Sequence, residues 1–217
     1  MFIGHFGIGF GAKKIAPGLS LGLLFMAVQF LDLLWPTLLL LDAEHVAIVP
    51  GITKSTPLDF TDYPISHSLL MVIGWGLLFG FIYWLIKRNA RYAFILVLCV
   101  ISHWVLDYIV HRPDLPLFPG NSPRVGLGVW NFPFLSLLIE GIIFITGVVI
   151  YVKKTSAKNR IGRVGLWILV GLLVLIHVGN IFGPPPPDVP TIMWAGQLQW
   201  IFVLLAFWID HNREAVE

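Results

Sequence analysis

Seven ionisable side chains fall inside stretches otherwise apolar enough for hydrocarbon: Asp32, His67, His103, Asp107, His111, Glu140 and His177. Such a group costs about 3 kcal/mol at the centre of a membrane helix and marks a functional site by default. The densest piece is Ser102-His103-Trp104-Val105-Leu106-Asp107, continuing to His111. Histidine, aspartate and histidine at i, i+4 and i+8 share one stripe of a helix, each step drifting by about 40°. Imidazole nitrogen and carboxylate oxygen one turn apart can hold a single Zn²⁺, with Mn²⁺ and Fe²⁺ as alternatives. Asp32 and His67 offer further ligands at matching depth, and His5 and His111 could complete the set. A metal-bound water needs a carboxylate to handle its proton, and Asp107 and Glu140 are the candidates. His177 stands alone and reads as a helix contact. The same groups could instead form an interhelical hydrogen-bond network with no ion.

The elements that must position these groups follow from composition. The 217 residues are 57% hydrophobic and 12% charged, with a mean hydropathy of +0.84. Soluble domains carry about 25% charge, so a water-soluble globular enzyme is excluded, as are a disordered chain and a coiled coil. Cys99 is the one cysteine and sits in an apolar run, which excludes an intrachain disulfide. No basic patch with interleaved aromatics suggests nucleic acid. The expectation is an all-α, polytopic integral membrane bundle in one transmembrane domain over 1–217. A bilayer core takes about 20 helical residues, and six segments qualify: 19–41, 66–86, 91–111, 134–152, 164–183 and 191–210. Pro50-Gly51, Pro57, Pro64 and the run from Gly183 to Pro187 break the chain between them.

With both termini placed in the cytoplasm, eleven of the 14 Lys and Arg residues fall inside and only Lys54, Arg112 and Arg124 outside. That is the positive-inside pattern. It places the long connections 42–65 and 112–133 outside, and every intramembrane ionisable group in the outer half of its span. Asp32 lies roughly 21 Å from Gly18 at helical rise. The segment from Phe2 to Ala12 is too short to span. It is glycine-rich and reads as a short helix dipping into the bilayer against span one. Lys13 and Lys14 follow it rather than precede it, the reverse of a signal peptide, so it is expected to stay in the mature chain. Pro36 removes the donor that would meet the Asp32 carbonyl, so span one should kink there.

Gly4-His5, Asp32 in Phe30-Leu31-Asp32, Tyr63-Pro64-Ile65-Ser66-His67-Ser68-Leu69-Leu70, and Ser102-His103-Trp104-Val105-Leu106-Asp107 with Leu115-Pro116-Leu117-Phe118-Pro119 resemble the YdjM-like membrane-bound metal-dependent hydrolases. The resemblance covers about 1–125 and implies metal-dependent hydrolysis in a bacterial inner membrane. The chain departs from the family pattern at Leu33-Leu34-Trp35, where a DxDH cluster is usual. The order of ligands is also distantly similar to the zinc-dependent phospholipases C, which implies phosphoester chemistry by analogy. The resulting expectation is a membrane-embedded hydrolase acting on a phosphoester or lipid from the outer leaflet, with Arg112 and Arg124 to hold phosphate. Membrane lipids are its expected partners. An ion or proton transporter, a haem-binding subunit using His67, His103 and His177, and an accessory protein with a structural metal are the alternatives.

Overall fold

The structure, a computed structural model, describes residues 1–216. In chain order the helices are α1 (Ile3–Ala12), α2 (Leu21–Val28), α3 (Phe30–Leu40), α4 (Pro64–His67), α5 (Leu69–Lys87), α6 (Ala90–Val110), α7 (Pro133–Lys154), α8 (Leu166–Phe182), α9 (Val189–Gln197) and α10 (Gln199–His211). Five helical stretches are long and apolar enough to cross a membrane: Leu69–Lys87, Ala90–Val110, Pro133–Lys154, Ile161–Phe182 and Val189–His211. The sixth expected span is the pair α2 and α3, bent by 57°. The all-α membrane bundle therefore stands, with its first span broken.

Local sequence sets the boundaries. Ser20, Ser68, Asn89 and Asp188 are N-caps whose side chains accept the backbone N–H three residues on, meeting a donor that would otherwise face hydrocarbon. Arg88 ends α5 in the left-handed region at φ 51°. Leu, Ile and Phe side chains of α5, α7, α8 and α10 face outward, as lipid-facing surfaces require.

Two features of the first span differ from expectation. The break falls at Gln29 rather than at Pro36, and α3 runs through Pro36. The carbonyl that Pro36 leaves free, that of Asp32, accepts from Gln199 Nε2 at 3.4 Å. A protein donor thus relieves the proline defect without a kink there. The N-terminal helix also differs. α1 is enclosed by the bundle, and its closest neighbour is α7 rather than span one. Glycines make this possible: a Cβ on Gly7 would stand 2.7 Å from the Ile143 carbonyl oxygen, and Gly147 faces the backbone of Gly7. Phe6 and Phe10 then pack edge-on against Phe25 of α2, ring centres 4.9 Å apart in both pairs.

The long connections carry short antiparallel ladders. β1 (His45–Ile48) pairs with β2 (Leu58–Asp62), and β3 (Leu115–Pro116) with β4 (Arg124–Val125). Both cover the same end of the bundle. At the opposite end, β5 (Thr155–Ala157) pairs with β6 (Arg213–Ala215). There Lys13 Nζ bonds both oxygens of Asp210, at 3.0 and 2.8 Å. Asp210 also accepts from Tyr151 Oη at 2.7 Å and from Leu21 N at 3.0 Å. This buried knot ties α1, α2, α7 and α10 together and fixes the height of α1.

Gly7→Val should prevent this close approach of α1 to α7. We expect a loss of about 1–3 kcal/mol, read as a lower unfolding temperature in detergent, whereas Gly74→Val, where a side chain meets nothing within 4 Å, should unfold as the unaltered protein does.

Candidate metal centre

Six of the side chains singled out in the sequence meet in one place. α6 supplies the stripe His103, Asp107 and His111; α3 supplies Asp32 from its first turn; α4, a single turn opened by Pro64, supplies His67; α1 supplies His5. Asp107 is 2% exposed and His5 and His103 are fully buried, while Asp32 keeps 23% of its side chain exposed. Asp107 Oδ2 lies 3.1 Å from His103 Nε2, 3.9 Å from His67 Nε2 and 4.0 Å from His111 Nε2. Asp32 Oδ1 lies 3.6 Å from the Nε2 of both His67 and His103. On the other side of the carboxylate, Asp107 Oδ1 is 3.1 Å from His5 Nε2 and also meets the Met1 amino group. The His5 and His103 rings stack, centres 3.7 Å apart and 6° from parallel. Two three-residue sets have ligand atoms close enough for one ion: His5, His103 and Asp107, and Asp32, His67 and His103.

The outward-facing ring nitrogens reveal which tautomers the site holds. His103 Nδ1 lies 2.7 Å from the Val28 carbonyl, which can only accept, so Nδ1 carries the proton. That carbonyl is available because the helix is interrupted at Gln29. His111 Nδ1 donates to Asp114 Oδ1 at 2.9 Å. For His67 the constraint passes through a serine. Glu44 Oε1 accepts the backbone N–H of Ile65 and Ser66, both at 2.7 Å, and Glu44 Oε2 accepts the Ser66 hydroxyl at 2.6 Å. Ser66 Oγ is thereby left to accept from His67 Nδ1 at 2.7 Å. In the neutral state all three imidazoles therefore turn an unprotonated Nε2 toward Asp32 and Asp107. His103 Nε2 is buried with no hydrogen-bond partner, since its approach to Asp107 is off the line of a bond. Lone pairs facing carboxylates in a dry interior repel unless a cation lies between them. The donor set of neutral imidazole and carboxylate suits zinc, manganese or iron.

Two expected catalytic groups lie one layer out. Glu140 Oε2 accepts the backbone N–H of Phe2 at 2.8 Å and of Gly4 at 3.3 Å. It caps α1, which has no side-chain cap of its own, and so holds the helix that delivers His5. His177 Nδ1 is 3.9 Å from the same oxygen. Arg112 donates to Asp114 Oδ2 at 3.1 Å and pairs with Asp59, so it steadies the carboxylate behind His111. Arg124 is exposed and donates to the Thr61 carbonyl at 3.0 Å. Sequence reasoning missed Glu44, Asp114, Ser66 and Tyr63, whose hydroxyl donates to Asp114 at 3.3 Å. Only Ser66, adjacent to His67, carried a local signal; the two acids read as ordinary polar loop residues.

Burial pushes the Glu44 carboxyl up. A raised carboxyl favours its neutral form in the fold, so its cost to stability is absent at low pH and present once pH exceeds the raised value. Glu44→Gln removes that cost, yet its amide would donate to Ser66, turn the serine into a donor to His67 Nδ1 and put a proton on Nε2. We expect unchanged or higher stability at neutral pH with metal affinity lowered by about 10–100-fold, measured by titrating stripped protein with zinc. Glu140→Gln, which still accepts hydrogen bonds, should keep metal binding, while Glu140→Ala should weaken it.

No curated protein and no solved structure matches the chain. The family model of the YdjM inner membrane proteins matches residues 55–182, which takes in His67, His103, Asp107, His111 and Glu140 but neither His5 nor Asp32. Since that match spans more than half of the 217 residues, the chain belongs to the YdjM inner membrane protein family.

Proposed function

We propose that the protein is a membrane-embedded metal-dependent hydrolase acting on a phosphoester, with a lipid as its substrate class. The observation that carries this reading is the set of three Nε2 atoms turned toward two carboxylates, with an acceptor placed behind each ring. Asp32, His67, His103 and Asp107 would hold a divalent ion, zinc foremost, with His5 and His111 at its margins. Such an ion supplies a Lewis acid and lowers the pKa of water toward about 7.

The chain's own residues do the rest. Asp107 presents one oxygen to His5 and the Met1 amino group and the other to His67, His103 and His111, so proton transfer from a bound water would pass through the side of Asp107 that faces His5. Asp32 is the partly open ligand, and an accessible ligand position favours catalysis over a closed structural site. A site held within the membrane-spanning helices is nearer to lipid than to bulk solute. Asp32 lies roughly 12 Å short of Leu40 at helical rise. The end of the site is roofed by Phe60 and Trp130, whose rings stand 5.0 and 4.1 Å from His111. Arg124 keeps free guanidinium donors for a phosphate, whereas those of Arg112 are engaged by Asp59 and Asp114. The positive-inside count puts this end of the bundle on the outer side, with both termini cytoplasmic.

Detergent-purified protein should carry near-stoichiometric zinc or manganese by elemental analysis. His103→Ala and Asp107→Ala should each lose it, together with metal-dependent hydrolysis of a phosphodiester, while still inserting into the membrane. Full metal content in both variants would remove the site assignment; metal present without turnover of any ester would leave a structural ion.

A further inference from the structure

At the end of the bundle opposite the metal centre, the helix that becomes α8 begins with a π turn, Ile161–Gly165. Such a turn widens the helix and often accompanies a binding surface. Here it is anchored on its inner side: Arg213 Nη1 donates to the Gly162 carbonyl at 2.7 Å, and Asn159 Nδ2 to Asn212 Oδ1 at 2.7 Å. On its outer side the turn and α10 leave a groove of about 290 Å³, walled by Val164, Ile168, Leu205 and Trp208, with Arg160 at its mouth. Gly165 forms the floor, where a Cβ would stand 3.2 Å from Ile209 Cγ1.

The segment leading into the π turn is basic, and the described acids at this end are engaged elsewhere, Asp210 by Lys13 and Tyr151, and Glu214 by Ser156. Lys153, Lys154, Lys158, Arg160 and Arg163 occupy residues 153–163 with no acid among them, and among the described residues Arg160 and Arg163 pair with no carboxylate. An apolar slot between two lipid-facing helices, ending at the Arg160 guanidinium beside an exposed indole, matches an amphiphile with an anionic head. Basic pockets between membrane helices hold such heads, and tryptophan settles at the headgroup level.

We propose that this groove is a binding site for an anionic phospholipid, with one acyl chain between the π turn and α10 and the phosphate on Arg160. It is independent of the metal centre, and its ligand is a bound lipid rather than a substrate.

The test is native mass spectrometry of the full chain in detergent, titrated with phosphatidylglycerol and, separately, phosphatidylcholine. The unaltered protein should retain one phosphatidylglycerol in preference to phosphatidylcholine. Arg160→Gln should reduce that preference about fivefold, the amount one surface cation contributes. Ile168→Trp, at a rim position 63% exposed where added bulk meets no core, should block retention of either lipid in the groove. Equal retention of the two lipids would mean a surrounding lipid annulus only and would overturn the proposal. So would a Leu205→Cys variant that crosslinks to a second copy while retaining no lipid. An unchanged unfolding temperature in detergent certifies that Arg160→Gln and Ile168→Trp fold.

Discussion

Hydrogen-bond direction is the constraint on which the rest of this structure depends. A neutral imidazole has one proton between two nitrogens, and an acceptor behind Nδ1 decides which nitrogen keeps it. Here a main-chain carbonyl, a carboxylate and a carboxylate-directed serine stand behind His103, His111 and His67. Each turns its lone pair inward, onto Asp32 and Asp107. In hydrocarbon that assembly of neutral rings and carboxylates is unfavourable by itself and is favourable around a cation, so the proposed metal site depends on the outer acceptors as much as on the residues that would ligate.

Much of the fold serves to supply those acceptors and to bring in side chains that regular spans could not deliver. Interrupting the first span at Gln29 frees the Val28 carbonyl for His103 and starts α3 at the right height for Asp32. The β1–β2 connection brings Glu44 down to Ser66, and the connection after α6 folds back so that Asp114 meets His111. α1 is held from two ends, by Glu140 at its start and by the Lys13–Asp210 pair beyond its finish. Gly7 and Gly147 let it lie against α7 closely enough for His5 to face Asp107.

The clustered side chains were legible because charge in an apolar run is conspicuous and because a spacing of four residues in a helix has one geometric meaning. His103 and Asp107 could be joined from the sequence alone, and the common depth of Asp32 and His67 added them. The limits lie where long-range contacts override a local rule. Pro36 promised a kink, but Gln199 reaches across from another helix to meet the released carbonyl. That Glu140 caps α1 was not legible, because nothing in its own helix shows that the first N–H groups of α1 end on it. Arg112 looked free for phosphate because Asp59, its partner, is 53 residues away. Glu44 and Asp114 gave no sign, since loop acids are ordinary and only tertiary folding buries these two.

The most direct measurement is X-ray absorption at the zinc edge of the protein reconstituted with zinc. The account predicts a shell of nitrogen and oxygen at about 2.0–2.1 Å with the outer scattering of several imidazole rings, weakened in the His67→Ala variant. A shell with no imidazole contribution, or zinc that washes away as readily as from the Asp107→Ala variant, would contradict it.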